Sequence, residues 1–121
     1  MELTEQLKQY TKFWNEFVEW METTHQWELV DGAFWYLGSR YISHRELTSL
    51  LVEFLDSKGY YVEVRSKITN VGVRWDWMVW SNLTVEVCND NFIHTRQQGT
   101  EAGILKAVEL YETNIKNSHS V

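Results

Sequence analysis

Between residues 60 and 88 the sequence alternates apolar and polar side chains in three successive runs, each closed by turn residues. Tyr60, Val62, Val64 and Ile68 oppose Tyr61, Glu63, Arg65 and Lys67. Val73, Trp75, Trp77 and Val79 oppose Arg74, Asp76, Met78 and Trp80. Leu83, Val85 and Val87 oppose Thr84, Glu86 and Cys88. A period of two belongs to a β-strand whose faces meet different surroundings. Asn70-Val71-Gly72 and Ser81-Asn82 separate the runs, which leaves room only for antiparallel hairpins. Strands over 60–68, 73–80 and 83–88 therefore form a three-stranded antiparallel sheet with one apolar face, and that face has to be covered.

Two helices flank the sheet and can cover it. Ser43 with Glu46 three residues later forms a capping box, opening a helix over 44–57 that buries Leu47, Leu50, Leu51, Phe54 and Leu55. Lys58-Gly59 ends it, a cation in the last turn followed by a glycine. Thr95 with Gln98 makes a second capping box for a helix over about 96–115 that buries Ile104, Ala107, Val108, Tyr111 and Ile115. The expected fold class is α+β, with an α-β-β-β-α core at 44–116. Trp75 and Trp77 belong to the apolar face, against Leu51, Phe54, Val108 and Tyr111. Burying each indole is worth on the order of 2–3 kcal/mol. Trp80 and Met78 fall on the other face.

An N-terminal helix and a hairpin, residues 1–43, precede the core. Leu3, Leu7, Tyr10, Trp14, Phe17 and Met21 recur at steps of four and three, which predicts a single helix over 3–22, widened by Phe13 and Trp20. Asp31-Gly32 between two apolar runs predicts a type I′ hairpin with strands near 27–30 and 33–37, and Gly38-Ser39 closes the second strand. The aromatic stripe is larger than one helix of a small domain ordinarily carries, and the free face of the sheet is mostly charged. An uncovered stripe of that size is an association site. The expectation is a homodimer with Phe13, Trp14, Phe17 and Trp20 at or beside the interface.

All of this fits one domain over 1–121, ending in a polar tail at 117–121. The chain carries 17 acidic and 11 basic residues, a net charge of −6, so free nucleic acid is disfavoured as a partner. A single cysteine, Cys88, rules out an intrachain disulfide and fits a reducing cytoplasm. No apolar run is long enough to span a bilayer, and the acidic N-terminus lacks the pattern of a secretory signal. Proline is absent. His25, His44, His94 and His119 are scattered, and none stands at metal-ligand spacing from another histidine or from Cys88.

Two resemblances add to this reading. "EAGILKAVELY" at 101–111, preceded by Phe92 and Thr95, resembles the closing segment of a family of small uncharacterised bacteriophage proteins. The helix at 46–58 and the strand "YYVEV" stand in the order seen there, while "RQQGT" departs from the usual Glu-Glu-Ala start. That resemblance implies a phage or prophage origin, a host-cell cytoplasmic location, and no known activity or site.

The α-β-β-β-α order is also similar to the core of restriction-endonuclease-like nucleases, which place an acidic residue in the first helix, an Asp on the second strand and a Glu-x-Lys on the third. Glu46 or Glu53, Asp76 and Glu86 stand in those places, and Asp76 and Glu86 are assigned to one face, as ligands of one divalent metal must be. Cys88 occupies the position of the catalytic lysine, with Lys67 as a substitute from another strand. Equally, Glu63, Arg65, Lys67, Arg74, Asp76 and Glu86 read as the charge lattice of a solvated sheet face. The same element order describes a double-stranded-RNA-binding domain, but "RQQGTEAG" lacks the lysine cluster such a domain needs. The expected function is a non-enzymatic protein–protein interaction module that needs no cofactor or metal, binding itself or another protein. The alternative is a metal-dependent nuclease, or an inactive relative, using Asp76, Glu86 and Lys67.

Overall fold

The computed structural model describes residues 2–82, 84–88 and 93–119; Leu83, Phe92 and the last two residues of the polar tail lie outside them. The expected single N-terminal helix is two, α1 (Leu3–Leu7) and α2 (Thr11–His25). Tyr10, at φ −93° and ψ 79°, leaves the helical region between them. The chain tightens there, with the Tyr10 N–H donating to the Leu7 carbonyl at 3.0 Å. In an unbroken helix the N–H groups of Lys12 and Phe13 would donate to the carbonyls of Lys8 and Gln9. They donate instead to the carboxylate of Glu112, at 3.3 and 2.8 Å. A buried glutamate from the far end of the chain thus caps α2 and fixes the break.

Gln26, left-handed at φ 61°, ends α2 and donates its N–H to the Met21 carbonyl. The hairpin follows as expected. β1 (Trp27–Val30) and β2 (Ala33–Tyr36) pair from Trp27 with Tyr36 to Val30 with Ala33. Asp31 and Gly32 have φ of 51° and 83°, as a type I′ turn requires. A further short strand, which the sequence pattern does not signal, follows. Leu37 and Gly38 also take positive φ, 49° and 71°, and the chain turns back as β3 (Arg40–Tyr41) beside β2. Gly38 is open space for such a bend, but Leu37 carries no signal of it.

The helix α3 (His44–Ser57) has the expected bounds, and both halves of its capping box are made. β4 (Tyr61–Thr69), β5 (Gly72–Trp80) and β6 (Val85–Val87) form the second antiparallel sheet, in that order. The helix α4 (Arg96–His119) crosses its inner face and runs into the segment expected to be polar tail. Gly99 and Gly103 let it come close. A Cβ on Gly99 would lie 2.9 Å from a Val64 methyl, and one on Gly103 would lie 2.7 Å from a Val62 methyl and 3.3 Å from the Trp77 Cβ. Because backbone presses on the Cβ end of these tryptophans, their indoles reach past the helix. Trp75 and Trp77 are half-buried rather than fully buried, and Val79 is the sheet residue sealed in the core. Arg96 stacks its guanidinium 5.7 Å from the Trp75 ring.

The same core continues on the other side of α3 and α4, where it is aromatic. Phe13 and Phe17 of α2 stack at 5.8 Å, and Phe54 of α3 meets them at 5.6 and 5.5 Å. Tyr111 of α4 sets its edge on Phe13 at 6.1 Å, and Phe34 of β2 closes over Phe17 at 5.8 Å. The Tyr111 hydroxyl donates to the Glu16 carboxylate, and burial, with Glu16 second, pushes its pKa above the ordinary phenol range. One apolar cluster therefore joins residues of the N-terminal extension to those of the 44–116 core.

This overturns the basis on which Phe13, Trp14, Phe17 and Trp20 were expected at a homodimer interface. Phe13 and Phe17 are fully buried within their own chain and Trp14 is 8% exposed. Trp20 is half-buried against Phe17 and Phe54. The expectation assumed that α3 and α4 spend their apolar sides on the sheet alone. They carry a second apolar side, with Phe54 and Tyr111, and α2 covers it.

Candidate functional site

Strand register decides what the outer face of the β4–β5–β6 sheet contains. Across β4 and β5, Tyr61 faces Trp80, Glu63 faces Met78, Arg65 faces Asp76 and Lys67 faces Arg74. Across β5 and β6, Met78 faces Val87, Val79 faces Glu86 and Trp80 faces Val85. Directly paired residues of an antiparallel sheet point to the same side. Asp76, Met78 and Trp80 therefore share the outer face with Val85 and Val87, and Glu86 points inward beside Val79. The assignment of Asp76 and Glu86 to one face is corrected: they lie on opposite faces of the sheet. Lys67 does meet Asp76, its ammonium 2.8 Å from a carboxylate oxygen, diagonally across the strands. That contact is an ion pair of the charge lattice. A metal held by Asp76 and Glu86 together would need the sheet between its ligands, and among the described residues no cluster of three His, Cys, Asp or Glu could hold a metal ion.

The corrected register also builds something the sequence reading missed. One end of the outer face is apolar: the Tyr61 and Trp80 rings lie 5.5 Å apart, tilted by 30°, flanked by Met78, Val85 and Val87. Tyr61 is 39% exposed, Val85 62% and Val87 48%. The other end carries Glu63, Arg65, Lys67, Arg74 and Asp76. Among the described residues α3 and α4 are the helices that touch this sheet, α4 lies on its inner face, and no other element packs on the outer face. The sequence signal for it is the isolated pair Met78 and Trp80, because alternation alone puts Val85 and Val87 on the inner face.

Two other clefts gather polar groups. The His44 imidazole Nε2 lies 3.0 Å from the Glu101 carboxylate in a cavity of about 530 Å³ between α1, α3 and α4, lined also by Leu3, Ile42, Leu47 and Leu105. Ser43, the N-cap of α3, and Thr4 of α1 also line this cavity, and the Ser43 hydroxyl oxygen accepts from the Glu46 N–H at 3.1 Å. On the far side, Arg40 stacks over Trp27 at 5.0 Å and Tyr36 at 5.9 Å and forks onto Glu46 with two bonds of 2.9 Å. Arg40, followed by the Ser43 backbone N–H, holds the Glu46 carboxyl down at about 2. These groups satisfy one another and fasten the first sheet to α3. Cys88 is half-buried next to β6.

Compared with protein-family profiles, curated proteins and solved structures, the chain matches none.

Proposed function

We propose that this is a small phage-type protein of the host-cell cytoplasm that acts without catalysis, as a protein–protein interaction module. Its docking surface is the outer face of the β4–β5–β6 sheet. The observation that carries the reading is the uncovered apolar end of that face, where Tyr61, Met78, Trp80, Val85 and Val87 lie together on adjacent strands. Contiguous exposed apolar side chains rimmed by charges are the usual mark of a site that another protein covers. A paired aromatic at its centre is the kind of residue that dominates binding energy. The net charge of −6 argues against a nucleic-acid occupant of this aromatic face, and the opposite faces of Asp76 and Glu86 argue against the nuclease reading.

The test is proximity labelling in cells with the full chain and with a Trp80→Ala/Val85→Asp variant. Both positions are on the outer face, so the variant should keep close to the wild-type melting temperature. The expected result is a set of proteins labelled by the wild type and lost from the variant. The same set labelled by both would remove the outer face as the docking surface.

A further inference from the structure

β4 is the edge of its sheet. Its register with β5 runs unbroken from Tyr61 opposite Trp80 to Thr69 opposite Gly72, and no strand lies on its other side among the described residues. Such an edge presents a row of unpaired backbone N–H and C=O groups. Natural sheets blunt it by shortness, proline, a bulge or charge. β4 is nine residues long and has neither proline nor bulge. It has charges, but of both signs.

We propose that β4 pairs antiparallel with β4 of a second copy about a two-fold axis at Val64, joining two three-stranded sheets into one. Symmetry restricts the registers, because two copies of a strand paired this way must have one residue facing itself. Centring on Glu63 sets two carboxylates face to face, and centring on Arg65 does the same with two guanidinium groups. Centring on Ser66 sets Arg65 against Lys67. Like charges directly opposite destabilise a sheet. Centring on Val64 gives the opposite outcome. Glu63 of each copy faces the partner's Arg65, once on either side of the axis, and Tyr61 faces the partner's Lys67. Glu63 and Arg65 are exposed, and neither takes part in an ion pair among the described residues. On the inner side Val64 meets the partner's Val64, and Val62 meets the partner's Ser66.

A second observation points the same way. Ile68 is 92% exposed on the inner side, beyond the reach of α4, which is anomalous for a residue in a strand of a small domain. In this register it comes opposite the partner's Tyr60, the residue just before β4, which packs against Tyr111 of α4. The axis runs through the sheet, so both outer faces end on the same side. The dimer then presents two copies of the docking surface side by side, which raises avidity for a repeated or dimeric partner. The inference goes beyond the proposed function: it needs no second protein and rests on Glu63, Arg65 and the β4 backbone rather than on Trp80 or β6.

Sedimentation velocity on the full chain over about 1–100 μM tests it, that being the range of a modest homodimer. The wild type is expected to be dimeric. Glu63→Arg and Arg65→Glu should each raise the dimer Kd at least about tenfold, because each creates two like-charge pairs. The double reversal should restore the dimer. Thermal melting of each variant checks that it is folded; should Arg65→Glu unfold beside Asp76, Glu63→Arg and the amide-exchange protection of β4 carry the test alone. A monomeric wild type overturns the proposal. So does a dimer that Glu63→Arg leaves intact, or one that forms without concentration-dependent protection of the β4 amides.

Discussion

Replacing Glu112 with alanine removes the side-chain acceptor of two N–H groups in the first turn of α2, inside a site where Glu112 is 3% exposed. Loss of a helix cap costs about 0.5–2 kcal/mol, and a buried donor left without a partner about 1–3 kcal/mol. The Phe13 N–H is the buried one, so the two costs together come to about 1.5–5 kcal/mol. For a chain of this size each kcal/mol lowers the melting temperature by about 3–5 °C, giving an expected fall of about 5–25 °C by calorimetry. Two controls separate capping from packing. Glu112→Gln keeps one oxygen to accept one N–H and should lose about half as much. Glu112→Leu refills the space with apolar atoms and should be no better than alanine, because the donors stay unsatisfied. Were leucine to restore the wild-type melting temperature, or alanine to lower it by less than about 2 °C, Glu112 would be a packing residue and the break in the N-terminal helix would need another cause.

Gly103→Ala should destabilise by about 1–3 kcal/mol in urea unfolding, because its methyl would press on Val62 and Trp77, outweighing the roughly 1 kcal/mol gain in helix propensity. A more stable variant would mean that α4 stands off the sheet. Glu46 has a folded pKa of about 2, below its unfolded value of about 4.3, so its contribution is complete above the unfolded value and fades as the pH falls toward 2. The melting temperatures of wild type and Glu46→Gln should therefore converge between about pH 5 and pH 2; a constant gap would show that the Arg40 fork does not matter to folding. With Mg²⁺ or Mn²⁺ the protein should cut neither DNA nor RNA, since Asp76 and Glu86 lie on opposite faces of the sheet. Cleavage abolished by both Asp76→Asn and Glu86→Gln would reinstate the nuclease reading.

What the sequence made legible was local chemistry. Ser43 with Glu46, and Asp31 with Gly32, act within a few residues of themselves, and both elements form at the expected positions. The break after α1 was not legible because its cause, Glu112, is 100 residues from Lys12. β3 was hidden because Leu37 adopts a left-handed conformation that leucine does not advertise. The error at Glu86 has a different origin. Alternation gives the period of a strand but not its phase against the strand before it, which the turn sets. Reading β6 one residue out of phase joined Asp76 to Glu86 on paper and removed Val85 and Val87 from the outer face. The apolar end of that face, the candidate site, became visible only with the register.

The glycines that let α4 lie close to the sheet also bear on the sequence of events in folding. Gly99 and Gly103 each weaken helix formation by about 1 kcal/mol relative to alanine, and both fall in the first third of α4. That stretch gains little from its own hydrogen bonds before there is a surface to lie on, whereas the stretch from Ile104 to Tyr111 has no such handicap. The hairpin of β4 and β5 is local and can close early. The start of α4 would then become ordered by docking onto it, zipping back from the middle of the helix toward Arg96. On that route the helix cap at Thr95 and Gln98, a start signal in the sequence, is the last part of α4 to form.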